Sequence, residues 1–376
     1  MIHSVTGTFG LLCLAGVAAL ALACSKSGGD EGALPGAKKT EAAGHAGGGD
    51  GSLTGAGATF PYPLYTKWIS EFTKTVPGLK INYQSIGSGG GIRQITERTV
   101  DFGATDAPMS DEQLSKAPGI LHVPTCLGAV VLTYNLEGVP SGLKITPEAA
   151  AGIFLGTIKD WSDPAIAKEN PGTKLPQKSI TSVHRSDGSG TTRVFTDWLT
   201  VASPEWKKGP GAGMSVSFPS GLGAKGNEGV AGQVSSTPGA VGYVELVYAV
   251  QNKLAYASVK NASGAFVAPT PASITAAGAA AAAKIPDDLR GSAVNAGAPD
   301  AYPIAAFTYV LLYAKQTDAA KGKALVDFLS WATHEGQTLA EPLSYAPLPL
   351  ALVAKVDAKL AQVEGPDGKP FKAAKP

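Results

Sequence analysis

Cysteine and histidine are scarce in this chain of 376 residues: the cysteines are Cys13, Cys24 and Cys126, and the histidines are His3, His45, His122, His184 and His334. The cysteines lack the paired spacing of zinc sites and the histidines are scattered, so no structural metal site is read from the sequence. An excess of charge of one sign is also missing. With 31 basic against 30 acidic side chains the formal net charge is +1, which excludes a protein that holds nucleic acid through a broad basic face and leaves room for a small local charged site. Glycine (47) and proline (27) together make roughly a fifth of the chain, short of the quarter or more found in disordered or fibrous chains. Collagen and wholesale disorder are excluded. The 44% hydrophobic content supports a sizeable core, in one large or two to three ordinary domains.

The most conspicuous apolar run, FGLLCLAGVAALALA from Phe9 to Ala23, has about fifteen residues, too few for a comfortable transmembrane helix and suited to the core of a signal peptide over residues 1–23. It ends ALAC at Cys24, which resembles a bacterial lipobox, where cleavage before the cysteine exposes it for lipidation. Two features depart from that pattern: Ala21 stands where a larger aliphatic residue is usual, and the leading segment carries His3 in place of Lys or Arg. The alternative is an ordinary signal peptide with an incidental cysteine. Residues 24–52 contain almost no large apolar side chain after the cysteine and cannot fold alone. Such a segment is a flexible tether with an r.m.s. span of about 25–30 Å. It suits a membrane-anchored domain that reaches a neighbour.

From Leu53 onward the pattern is that of a folded protein. Leu64, Trp68 and Phe72 recur at helical spacing after Pro61 and Pro63, predicting an amphipathic helix that opens near Thr59. Leu79, Ile81 and Tyr83 alternate as a strand, and the glycine turn GSGGG (87–91) leads into a helix with Ile92 and Ile95 on one face. The same order, strand then glycine turn then helix, returns in SITSVHR, DGSGT and TRVFTDWLT (179–200). Strands are predicted at 128–135, 240–249 and 305–314, and helices at 321–334 and 350–363. The alanine-rich stretch around 272–284 reads as a weakly specified surface helix. Strands and helices alternating over more than 300 residues predict an α/β protein with two sheets.

The chemistry sits in glycine turns that precede helices. A helix N-terminus presents unpaired N–H groups and a partial positive charge, and glycine lets an oxyanion approach the backbone closely. Three such turns occur: GAGATFP (55–61), GSGGG (87–91) and DGSGT (187–191). None is a nucleotide-binding fingerprint, and each alone reads equally as a plain connector. Together they carry Thr59, Ser88, Ser189 and Thr191, whose hydroxyls both donate and accept. Arg185 adds a fixed cation and Asp106, in VDFGATDAP, an acceptor. On physics alone Arg185 reads also as a surface ion pair with Asp187, and Asp106 as a helix cap or turn residue before Pro108.

At these residues the chain resembles a known family. LTGAGATFPYPLYTKW, INYQSIGSGGGIRQI, VDFGATDAPMSDEQL, VHRSDGSGTTRVF and GNEGVAGQV…PGAVGYVELVYA are similar, in order, to the phosphate-binding protein of the bacterial high-affinity phosphate ABC importer, in its lipoprotein form. The resemblance implies a periplasmic-binding-protein fold, two α/β domains closing over one dehydrated phosphate, with residues 53–125 and 302–376 in one domain and 126–301 in the other. Carried over motif by motif, it implies that Thr59 and Phe60 bind phosphate at the first helix terminus and Ser88 at the second. Asp106 would accept a proton from the phosphate. Arg185, Ser189, Gly190 and Thr191 would complete the cage, with Asp187 orienting Arg185. The turn at 87–91 departs from the family's GSSGG but keeps Ser88, and the alanine-rich stretch 272–300 resembles little.

The implied protein is not an enzyme and needs no cofactor or metal. It is a monomer held at the membrane, in the periplasm or at the cell surface, by a lipid on Cys24, and it delivers inorganic phosphate to a membrane permease. Three other classes deserve comparison. A serine hydrolase built from Ser189, His184 and Asp187 would crowd nucleophile, base and orienter into six residues. A phosphatase sharing the anion cage would need a metal cluster or an activated nucleophile that the sequence does not display. A binding protein for another tetrahedral oxyanion, such as sulfate, would have no need of Asp106. Cys126 reads as a buried free thiol near the expected hinge, and His122 and His184 as structural.

Overall fold

The computed structural model describes residues 52–373. The expected signal peptide, the expected lipidation site Cys24 and all but the last residue of the tether lie outside the described residues. In chain order the first elements are β1 (Ser52–Gly57), α1 (Tyr62–Thr75), β2 (Lys80–Ser85), α2 (Ser88–Thr96), β3 (Phe102–Thr105), α3 (Asp111–Lys116) and the long strand β4 (Ile120–Tyr134). Next come β5 (Lys144–Ile145), α4 (Pro147–Leu155), α5 (Pro164–Ala167), β6 (Thr181–Arg185), α6 (Gly190–Ala202), α7 (Pro204–Lys208), β7 (Leu222–Ala224), α8 (Gly226–Ser236) and β8 (Ala240–Glu245). The chain ends with α9 (Leu246–Gln251), β9 (Ala255–Tyr256), β10 (Ser258–Lys260), β11 (Phe266–Val267), α10 (Pro271–Ala282), β12 (Ala305–Tyr313), α11 (Ala319–Thr333) and α12 (Leu350–Leu360).

Nine strands form one continuous sheet in the order β2-β1-β3-β12-β4-β8-β6-β7, with β9 also on β4; β11, β10 and β5 form a small second sheet. The large sheet has two halves that share β4. Ile120 to Ala129 pair with β12, while Val130 to Tyr134 pair with β8. Parallel pairs β1–β2 and β1–β3 build the first half, and parallel pairs β6–β7 and β6–β8 build the second. In both halves strands enter helices through the glycine turns, which brings the turns to the same side of the molecule as the middle of β4. This is the mixed α/β architecture that the resemblance implies, built on one large sheet in two halves.

Close backbone approach explains several glycines. A Cβ on Gly57 would sit 2.1 Å from the Ala104 carbonyl oxygen of β3, and one on Gly91 of α2 would sit 2.5 Å from the Cα of Gly57. The first α2 turn thus lies directly on β1, as near as two glycines permit. On the other flank Leu64, Tyr65, Trp68 and Phe72 of α1 are buried. Trp68 donates its indole N–H to the Gly336 carbonyl, so the polar edge of the ring is satisfied inside the core.

Three predicted elements differ in the structure. The strand predicted at 128–135 is the second half of a strand of 15 residues that already begins at Ile120. Pro124 disguises it, because proline has no N–H to give a ladder. The sheet accommodates Pro124 by a register shift opposite Thr308 and Tyr309, which leaves Thr125 as the extra residue of a bulge. The run 240–249, read as one strand, turns into α9 at Glu245, whose carboxylate accepts the N–H of Val247 at 2.7 Å. An apolar run carries no periodicity that separates strand from helix, and the capping carboxylate decides. The alanine-rich stretch forms α10, which is no loose surface helix: Ile274, Ala277, Gly278 and Ala281 are buried. Gly278 lies so close to Leu127 of β4 that a Cβ would come within 2.6 Å of its side chain. Small residues let the helix dock on the sheet. Among the described residues no helix is long and apolar enough to cross a membrane.

Candidate functional site

Each glycine turn delivers its polar residues to one place. Thr59 and Phe60 are buried in the turn between β1 and α1. Ser88 is the first residue of α2, preceded by Gly87 at φ 87°. Asp106 follows β3, and Arg185 ends β6. Ser189 caps α6 by accepting the Thr192 N–H at 3.0 Å. The Arg193 N–H returns to the Ser189 carbonyl, so helix geometry leaves the N–H groups of Gly190 and Thr191 without an intrahelical acceptor. They are the donors that a helix terminus offers an anion.

The turns meet across the two half-sheets. The Gly89 N–H donates to the Gly188 carbonyl at 2.9 Å. A Cβ on Gly190 would lie 2.5 Å from the Ser88 hydroxyl and 2.7 Å from the Asp106 carboxylate, and one on Gly87 would lie 2.3 Å from Asp187. Any larger residue at these positions would wedge the turns apart.

Asp106 is only 3% exposed. Its Oδ1 accepts the Thr308 hydroxyl at 3.0 Å, its Oδ2 accepts the Ser88 hydroxyl at 3.4 Å, and its N–H donates back to the Ser88 oxygen. Burial pushes its carboxyl up to about 7, against the opposing pull of Thr308, the Arg185 charge, Ser88 and Thr191. Asp106 therefore works near neutrality as a group that can hold or release a proton. Arg185 is buried and forked onto Asp187, with Nε to Oδ1 at 2.7 Å and Nη2 to Oδ2 at 2.5 Å. The Gly226 N–H reaches the same carboxylate at 3.1 Å. Burial opposes ionisation of Asp187, but the Arg185 hydrogen bond and charge, with Gly226, outweigh it and hold its pKa below the ordinary value. The pair expected from the sequence thus exists, as a buried fork with the shape that fixes a guanidinium plane.

All the residues singled out from the three turns converge: Thr59, Phe60, Ser88, Asp106, Arg185, Asp187, Ser189, Gly190 and Thr191. The hydrolase arrangement does not assemble. His184 stacks on Phe218 at 4.3 Å with its Nδ1 on the Arg185 carbonyl, Asp187 serves Arg185, and the Ser189 oxygen caps a helix. His122 accepts the Met109 N–H at 3.0 Å, and Cys126 is a buried free thiol on β4.

Sequence reading missed two participants. Thr308 lies on β12, 202 residues from the Asp106 it binds, and no local pattern marks it. Asn227, the second residue of α8, is fully buried and joins the turns: its side-chain amide donates to Thr59 at 2.7 Å and to Thr191 at 3.0 Å. Its local signal is the block GNEGVAGQV, whose resemblance to the family marks the segment and not the asparagine.

The sequence and the fold have counterparts among known proteins. The profile of the PBP superfamily domain matches residues 42–335. The phosphate-binding protein PstS of Pasteurella multocida is 46% identical over 320 residues, 85% of this chain and 92% of that protein. The chain belongs to the PstS phosphate-binding protein family. Solved structures share the fold at lower identity. One is a phosphate-binding protein from Stenotrophomonas maltophilia, with TM-score 0.64, 22% identity and coverage of 86% of this chain and 100% of that one. Another, a putative phosphate ABC transporter substrate-binding protein from Clostridium perfringens with bound phosphate, has TM-score 0.57 and 19% identity, covering 79% of this chain and all of that one.

Proposed function

We propose that this PstS-family chain captures inorganic phosphate outside the cytoplasm and delivers it to the permease of an ABC importer, acting as a binding protein and not as an enzyme. The observation that carries the reading is Asp106, a buried carboxyl inside a ring of donors. Backbone N–H groups of Thr59, Phe60, Gly190 and Thr191, the hydroxyls of Ser88, Ser189 and Thr191, and the Arg185 guanidinium would grip the oxyanion. Asp106 would take the one hydrogen bond that only a protonated anion can donate. Asp187 would orient Arg185 by its fork. The one guanidinium faces two carboxyl groups, so attraction rests on aimed dipoles more than on net charge.

In this reading residues 53–125 with 302–376 form one domain and residues 126–301 the other, and the Gly89–Gly188 contact closes the cleft between them. The test is one titration of the soluble domain, stripped of anion by unfolding and refolding, with phosphate and sulfate, followed by small-angle scattering. Phosphate should bind, sulfate should not, and the radius of gyration should fall on adding phosphate. Failure of phosphate to bind overturns the function, and binding without compaction overturns the closing cleft.

Anchoring belongs to the same proposal. Mature protein would begin at a lipidated Cys24 and act as a tethered monomer at the membrane surface. Metabolic labelling with radioactive fatty acid should mark the wild type and be abolished in Cys24→Ala. A mature N-terminus elsewhere by mass spectrometry removes the lipid anchor from the proposal.

A further inference from the structure

We infer that Asn227 is a positioning residue that forces the Thr59 hydroxyl to donate and biases that of Thr191 toward donating; the inference rests on the phosphate reading above. The orientation of its amide follows from one contact. The Glu245 backbone N–H, which can only donate, lies 2.9 Å from Oδ1, so the opposite atom is the NH2 group. Its two hydrogens go to Thr59 Oγ1 at 2.7 Å and Thr191 Oγ1 at 3.0 Å. The Asn227 backbone N–H donates a third bond, to Thr59 Oγ1 at 3.2 Å.

A hydroxyl has one proton and two acceptor positions. Both acceptor positions of Thr59 are filled by Asn227, so its proton must point to a third partner. Thr191 has one acceptor position filled, and its hydroxyl also bonds Asp106, so Asn227 biases its proton toward that carboxyl or a ligand without fixing it. A hydroxyl left free would have to give up its rotational freedom to aim its proton at an anion. Asn227 removes that freedom before the anion arrives, at the cost of no extra charge. It also spans the two half-sheets, because Thr59 leads into α1 while Thr191 and Asn227 open α6 and α8. The bonds to Thr59 therefore form as the halves meet and reward the closed arrangement.

Asn227→Asp separates this role from mere packing, since it keeps shape and reverses donor character. An ionised carboxylate accepts only, so both threonine hydroxyls would turn their protons to it and their lone pairs to the anion. Phosphate affinity should fall by about a hundredfold at pH 8 relative to wild type, the scale of two hydrogen bonds turned from attraction to repulsion. The deficit should shrink toward acid as the new carboxyl takes a proton and regains a donor. The titratable and charged groups around the position are Asp106, Arg185 and Asp187 beside the turns, Glu228 on α8, Glu245 on β8 and Tyr248, whose hydroxyl binds the Thr59 carbonyl. They titrate in wild type as well, so the ratio of affinities at each pH isolates the substituted residue.

Isothermal titration with phosphate from pH 6 to 8.5 reads the result, with circular dichroism checking the fold. A deficit that is absent, or equal at every pH, overturns the inference. Should Asn227→Asp fail to fold, Asn227→Ala decides: it frees Thr191, leaves Thr59 held only by the backbone N–H of residue 227, and should weaken phosphate by about tenfold, chiefly through faster release, and wild-type affinity overturns the role. A wild type that binds no phosphate overturns the underlying reading and this inference together, whereas wild-type binding with unaffected variants overturns the inference alone.

Discussion

Asp106→Asn should admit sulfate. At neutral pH phosphate keeps at least one proton and sulfate none, and an ionised carboxylate can only accept. Sulfate against ionised Asp106 is a desolvated like-charge contact costing several kcal/mol, so selectivity comes from a repulsive element. The asparagine keeps the size of the side chain and can turn its NH2 toward the anion. At pH 8, about one unit above the position of the Asp106 carboxyl, sulfate affinity should rise by about tenfold, and part of the phosphate preference should be lost. The position of the Asp106 carboxyl, pushed up to about 7 by burial, adds a pH signature. Below that pH the wild-type residue is protonated and can itself donate, so sulfate binding to wild type should strengthen as pH falls from 8 to 6, by up to about tenfold per unit. Asp106→Asn should show no such slope.

The same shift has a stability consequence. The carboxyl is raised from its ordinary 3.8 in the folded protein, so between about 4 and 7 the folded chain holds a proton that the unfolded chain has released. Ligand-free stability should therefore fall as pH rises through this window, by on the order of 4 kcal/mol in total. Denaturation of Asp106→Asn should lack that fall. If the variant excludes sulfate as strongly as wild type, discrimination resides in the size or dipole arrangement of the cage and not in Asp106.

Local chemistry made much of the site legible. A glycine turn ahead of an amphipathic helix is a short-range pattern, so Thr59, Ser88 and Ser189 could be singled out from their own neighbours. What joins them is long-range and carries no local mark. Thr308 reaches Asp106 because β12 runs antiparallel beside β3, and nothing in AAFTYVLLYA separates that threonine from an ordinary strand residue. Asn227 sits just after Gly226, whose φ of 72° starts α8 at the angle that aims the amide inward, a geometry that composition does not announce. In the fold, errors fell where one local signal masked another. Pro124 hid half of β4, and the apolar run at 240–249 hid the helix that Glu245 begins. Alanine in α10 reads as weak specification because small side chains say little about burial, yet their smallness is what lets the helix lie on Leu127.

Arg185→Ala should act differently from Asp106→Asn, weakening every tetrahedral anion together. The guanidinium is the one cation held among the converging residues, with 1% of its side chain exposed, and its forked partner Asp187 is 14% exposed. Removing it takes away a desolvated charge that does not distinguish protonated from unprotonated oxyanions. Phosphate affinity should fall by roughly 2–5 kcal/mol, about thirtyfold to several thousandfold. In an Asp106→Asn background sulfate should fall by a similar factor, leaving the ratio of the two anions nearly unchanged. The substitution also strands Asp187, so the melting temperature of ligand-free protein should drop. Arg185→Ala with Asp187→Ala should recover much of that stability without recovering affinity, because the pair is gone but the ligand's cation is still missing. Arg185→Lys should lie between wild type and alanine, since it keeps the charge but not the planar fork that Asp187 holds in place. Competition titrations at pH 7 and low salt, paired with thermal melts, read all of these. If Arg185→Ala changes the phosphate-to-sulfate ratio more than it changes either affinity, the guanidinium reads the anion's protonation instead of its charge, and the division of labour between Arg185 and Asp106 is wrong.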